Sequence, residues 1–204
     1  MVISGEWSAL DWKFLTDRCL NEGWSSFHHY GSQYKLCHTT DLEAMFYKCP
    51  SMKLLMMPLN ANIVPSWPIL PTPWTSLQEL IIHSPKFGGI FEGVALHLTL
   101  PNLGQIYLYY KGNQKVDTEP SFLPDLEGCD KLEVAVFLQG FFRFNGEILT
   151  GDELPLPPGL KRLNLMGSRF HEEFMNGIEY EDIKKVLPGL QNFANNTGVF
   201  LKHV

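Results

Sequence analysis

The chain has 204 residues, 45% of them hydrophobic and 19% charged, with a formal net charge of −6. That length suits one domain with a sizeable core, and the low charge fraction leans toward an interaction protein. The acidic balance argues against a general nucleic-acid binder, and no apolar stretch reaches membrane-spanning length. Four cysteines, Cys19, Cys37, Cys49 and Cys129, are too few for a disulfide framework in a chain of this size. The opening "MVISGEWSALDWKF" carries charge and tryptophan where a secretory signal needs a continuous apolar region, so a cytoplasmic or nuclear location is expected.

Taken in chain order, "EWSALDWKFLTDRCLNEG" predicts a helix with Leu10, Phe14 and Leu15 on one face and Gly23 as its stop. With Trp7 and Trp12 it reads as an N-terminal helical cap over residues 1–38, which also holds an early degenerate strand at "SSFHHYGS". Next, "TTDLEAMFYKCPSMKLLMM" predicts a helix capped near Thr40 or Asp41 that runs into a short strand. Five prolines in "PLNANIVPSWPILPTPW" exclude a regular helix there. Strands follow in "WTSLQELII", "LPNLGQIYLYY", "CDKLEVAVF" and "PPGLKRLNL". Asn145-Gly146 inside "GFFRFNGEILTG" predicts a small projecting hairpin, with an ordinary loop as the alternative. "FHEEFMNGIEYEDIKKVL" is a helical segment that Gly177 divides, "LPGLQNFAN" a last repeat, and "NTGVFLKHV" a closing strand through Val199, Phe200 and Leu201.

The strands share a pattern. An apolar residue is followed by others three and five positions on: Met52, Leu55 and Met57; Leu77, Leu80 and Ile82; Leu103, Ile106 and Leu108; Leu132, Ala135 and Phe137; Leu160, Leu163 and Leu165. Leu190 and Phe193 begin a sixth set that Asn195 breaks. First positions at 52, 77, 103, 132, 160 and 190 give intervals of 25, 26, 29, 28 and 30. Five of the lead-ins carry Pro or Cys: "CPSM", "LPNL", "CDKL", "PPGL" and "LPGL". A repeated unit of this length cannot bury its apolar face alone and must stack on its neighbours.

These motifs, the segment Thr39 to Met57 above all, resemble the irregular repeats of F-box/leucine-rich-repeat proteins over about residues 39–195. The resemblance implies an α/β fold, a curved leucine-rich-repeat solenoid with about five to six short parallel strands. Irregular loops and few helices would lie outside, with residues 196–204 as a C-terminal cap of a single 1–204 domain. It also implies a protein partner on the concave face and a link to ubiquitin ligation, although residues 1–38 contain no F-box.

No catalytic motif stands out. The chain lacks H-E-x-x-H, a phosphate-binding glycine loop, G-x-S-x-G and C-x-x-C. Cys37 and His38 are adjacent, whereas catalytic pairs converge from distant segments. His28, His29, Cys37 and His38 match no zinc spacing, and the acidic run Asp117 to Asp130 matches no calcium loop. No metal, no cofactor and no enzyme activity are expected.

Residues alternating with the apolar triplets turn to the other face of each strand. They form three columns: Leu54, Glu79, Gln105, Val134, Arg162; Met56, Ile81, Tyr107, Val136, Asn164; and Pro58, His83, Tyr109, Leu138, Met166. From these the expected partner-binding residues are Met56, Ile81, His83, Tyr107, Tyr109, Val136, Leu138, Asn164 and Met166. The expected function is noncatalytic recognition of another protein, as a substrate receptor or assembly subunit. The alternatives are coverage of the stripe by the chain itself, a small α/β hydrolase or transferase, or a small-molecule-binding module.

Overall fold

A tight turn leads into five of the six predicted repeat strands. The structure is a computed structural model, and the residues it describes are 2–4, 25–30, 39–59, 66–84, 87–110, 121–143, 156–170, 180–194 and 200–202. In each turn the first apolar residue donates its N–H to the carbonyl three residues back: Met52 to Cys49, Leu103 to Leu100, Leu132 to Cys129, Leu160 to Pro157 and Leu190 to Leu187, at 2.9–3.1 Å. Pro50, Pro101, Pro158 and Pro188 stand at the second position of four of these turns. Proline fixes φ near the value that position needs, so the recurring proline is a turn former. At the Leu77 unit Trp74 takes the equivalent place, and its indole N–H donates to the Cys49 carbonyl one unit back at 3.1 Å.

After each turn comes a second regular contact. The carbonyls of Ser25, Lys53, Gln78, Gly104, Glu133 and Lys161 each accept two backbone N–H groups from the next unit, at 2.7–3.2 Å. This shared acceptor sets the register from which the strands pair. In chain order the elements are β1 (Val2–Ser4), β2 (Ser26–Tyr30), α1 (Thr39–Lys48), β3 (Leu54–Pro58), β4 (Glu79–Ser84), α2 (Leu96–Thr99), β5 (Gln105–Tyr110) and β6 (Ser121–Phe122). Then follow β7 (Val134–Leu138), β8 (Phe141–Arg143), β9 (Arg162–Asn164), β10 (Arg169–Phe170), α3 (Tyr180–Val186), β11 (Asn192–Ala194) and β12 (Phe200–Lys202). The main sheet runs β1-β2-β3-β4-β5-β7-β9-β11-β12, parallel throughout except for the antiparallel β12. The fold is a curved solenoid of short parallel strands.

Leu55, Leu80, Ile106, Ala135, Leu163 and Phe193 lie in register across six strands and are all buried. The flanking members of every apolar triplet are buried too. On the far side of this layer Leu42, Met45, Phe46 and Cys49 are buried at the three- and four-residue spacing of one helix face. Aromatic rings then run in contact through the interior, Trp74 to Phe46 to Trp67 to Phe91 to Phe87 to Phe142 to Phe137, with centroids 4.7–6.4 Å apart. They join units that are distant in sequence.

Several expectations need correction. Among the described residues the main sheet holds eight parallel strands, the six repeat strands together with β1 and β2 from the region read as the cap. The helix expected within that cap lies outside the described residues. Helix α1 starts at Thr39, so Thr40 and Asp41 occupy its first turn and are not its cap. The outer side carries a second parallel sheet, β10-β8-β6, where irregular loops and few helices are expected. Strand β8 pairs β10 through Phe141 and Phe142 and β6 through Phe142 and Arg143. Asn145-Gly146 falls outside the described residues, as does Gly177. Strand β12 agrees with the closing strand read from the tail.

Candidate functional site

Three rows cross the face of the main sheet turned away from the core. The first pairs Leu54, Glu79, Gln105, Val134, Arg162 and Asn192 in succession. The second pairs Met56, Ile81, Tyr107, Val136, Asn164 and Ala194, and the third Pro58, His83, Tyr109 and Leu138. Met166 lies past the end of β9, where its carbonyl accepts the Gln139 N–H at 3.3 Å. That contact brings it beside Leu138.

The rows are not equally open. Ile81, His83, Tyr107, Tyr109, Leu138 and Met166 are partly exposed. Val136 is 2% exposed, Met56 7% and Asn164 7%, so these three offer little surface to a partner. Asn164 instead serves its own strand end, since its Oδ1 accepts the Met166 N–H at 3.1 Å and holds the turn after β9. The continuous stripe expected from the sequence is therefore an open patch centred on β4 and β5.

Within that patch the rings are ordered. His83 stacks on Tyr109 with centroids 4.7 Å apart and planes 12° from parallel. Tyr109 and Tyr107 are 6.3 Å apart at 4°. The Tyr107 hydroxyl donates to Gln105 Oε1 at 2.7 Å. Burial raises the pKa of both tyrosines above the usual value, so both hydroxyls stay protonated at neutral pH. Glu79 pushes each pKa further up and Arg162 pulls it down, which places an anion and a cation within electrostatic reach of the rings. The sequence had put Glu79 and Arg162 in the first row, yet they were not among the expected binding residues.

The remaining groups give little chemistry to work with. Cys129 is buried, and that burial, aided by Asp125 and Asp130, pushes its thiol up to about 12. It is a poor nucleophile at neutral pH. Among the described residues no three His, Cys, Asp or Glu side chains gather to hold a metal ion. The side chains of His28 and His29, with all of Cys37 and His38, lie outside the described set. Asp125 Oδ1 accepts the Glu127 N–H at 3.0 Å in a local turn. On the outer side a shallow cleft of about 170 Å³ is lined by Phe46, Tyr47, Pro50, Leu70, Pro71, Thr72, Pro73, Trp74 and Thr75, with no acid or base for catalysis.

Among the described residues no helix is long and apolar enough to cross a membrane. Comparison of the chain with protein-family models, curated proteins and solved structures returns no match. What fold and site define together is a parallel-strand solenoid with an aromatic patch on its open sheet face.

Proposed function

We propose that this chain is a noncatalytic recognition module that holds a protein partner on its concave face, with Tyr107 and Tyr109 as anchors. The supporting observation is the half-open stack of His83, Tyr109 and Tyr107 on a rigid sheet. Tyrosine suits such a place because it buries a large ring while its hydroxyl keeps a polar partner. A few aromatic anchors of this kind carry most of the energy in protein interfaces. The turn-and-strand repeat also favours a leucine-rich-repeat type of solenoid, and with it a role as substrate receptor or assembly subunit.

The test is affinity capture from native extract, comparing wild type with Tyr107→Ala/Tyr109→Ser after both are shown to be equally folded. A partner retained by wild type and lost by the variant, then confirmed with purified components, supports the reading. An unchanged partner set overturns it and moves attention to the outer cleft.

A further inference from the structure

The open patch constrains what can lie on it. Strands β4, β5 and β7 are each hydrogen-bonded to neighbours on both sides, so none offers a free edge for an added strand. A segment crossing them must satisfy its own backbone N–H and C=O groups, and an α-helix does so internally. Its apolar side would meet Ile81, Tyr107, Tyr109 and Leu138.

Charge then fixes the ends. Glu79 and Arg162 belong to one row, separated by Gln105 and Val134. Gln105 accepts the Tyr107 hydroxyl and is uncharged, and valine is apolar. Among the described residues neither Glu79 nor Arg162 is ion-paired, whereas their surface neighbours Lys161 and Glu133 are paired to each other at 2.5 Å. Three strand spacings of ~4.8 Å put the two charges about 14 Å apart. Helix positions seven or eleven residues apart are separated by about 10 or about 17 Å and return to nearly the same face.

Resting on the recognition role proposed above, we infer that the concave face binds an amphipathic α-helix lying across β4, β5, β7 and β9. This helix sets a basic side chain against Glu79 and an acidic one against Arg162. Its apolar stripe faces the patch in the two rows beside the charges. Complementary ends select the partner and its register more than they add affinity, which comes from the tyrosines.

The experiment displays a library of helices of about 18 residues, each long enough (~27 Å) to cross the four strands. The apolar face is varied, and two charge positions seven or eleven apart are randomised among Lys, Glu and Gln. It is selected on wild type, on Glu79→Lys, on Arg162→Glu and on the double swap Glu79→Arg/Arg162→Glu. Wild type is expected to enrich one Lys and one Glu, Glu79→Lys two Glu, and Arg162→Glu two Lys. The double swap restores the mixed pair, and each single reversal weakens the wild-type binder about tenfold. Identical enrichment on all four proteins, or no binders on wild type, overturns the inference and leaves the capture experiment to judge the recognition role. Charge-sorted binders that survive Tyr107→Ala/Tyr109→Ser overturn both.

Discussion

His83 of β4 lies face to face with Tyr109 of β5, 4.7 Å between ring centroids, and Tyr107 continues the same ring orientation within 4°. The register explains it: His83 and Tyr109 are direct neighbours on paired strands, and Tyr107 is two residues back on the same face. Rings stacked in this way gain about 0.5–1.5 kcal/mol per pair beyond area burial. They also lose little freedom when a partner arrives, which keeps the cost of binding low.

Tyr109→Ala removes the middle ring of the three. It is expected to weaken partner binding by about 2 kcal/mol, or ~30-fold. Because the ring is only half-buried, the fold should lose no more than about 1–2 kcal/mol. A binding isotherm and a thermal melt on the same sample separate the two effects. A large loss of stability with unchanged residual affinity would assign the stack to packing alone.

Gly140→Ala tests the junction between the two sheets. A Cβ at Gly140 would overlap the ring of Phe142, which is buried and touches both Phe87 and Phe137. The aromatic interior leaves that ring little room to retreat. Overpacking of this kind costs about 1–3 kcal/mol. Chemical denaturation should show that loss in Gly140→Ala and a partial recovery in Gly140→Ala/Phe142→Leu. Equal midpoints for wild type and Gly140→Ala would show the ring free to move aside.

Ile106 and Lys161 contrast a core contact with a surface one. Ile106 is fully buried between Leu80 and Ala135 in the register column. Ile106→Ala should cost about 2–5 kcal/mol, toward the upper end if stiff neighbouring strands prevent collapse around the gap. Lys161 bonds Glu133 with both side chains about half exposed, so Lys161→Ala should change stability by less than about 1 kcal/mol. Urea titrations of the two variants check the ordering. Comparable losses would mean that the ladder of strands rests on its surface ion pairs.

The parts legible in the sequence are those set by short-range rules. Leu103, Ile106 and Leu108 could be placed inside because a turn and a strand impose that spacing locally, and Pro101 marks the turn. The small outer strands were hidden for the opposite reason. Ser121–Phe122 and Arg169–Phe170 are too short to show alternation, and they exist through pairing with Phe141–Arg143 from another unit. Register named the right face for Met56 and Val136 but not their exposure, which depends on how neighbouring side chains close over them. Glu79 and Arg162 stood in the correct row, and their significance needed the knowledge that among the described residues neither is ion-paired.

Cys129 gives the fold a defined response to alkali. The residue is 2% exposed at the turn that leads into β7, with Asp125 and Asp130 nearby. Burial first, then the two carboxylates, raise its pKa from 9.0 to about 12 in the native state. Below pH 9 native and unfolded chains both keep the proton, and this group adds no pH dependence. Between pH 9 and 12 the unfolded chain releases it while the native chain holds it. Unfolding is then accompanied by proton loss, and stability falls as pH rises. Tyr107 and Tyr109, with raised values of their own, act in the same direction from about pH 10 upward. Urea midpoints of wild type should therefore decline across this window more steeply than those of Cys129→Ala, whatever the offset from the lost side chain. The native thiol should also resist alkylation at pH 8 and react once urea opens the chain. Parallel pH curves for the two proteins would show Cys129 open to water, and with it a looser packing of the turn before β7.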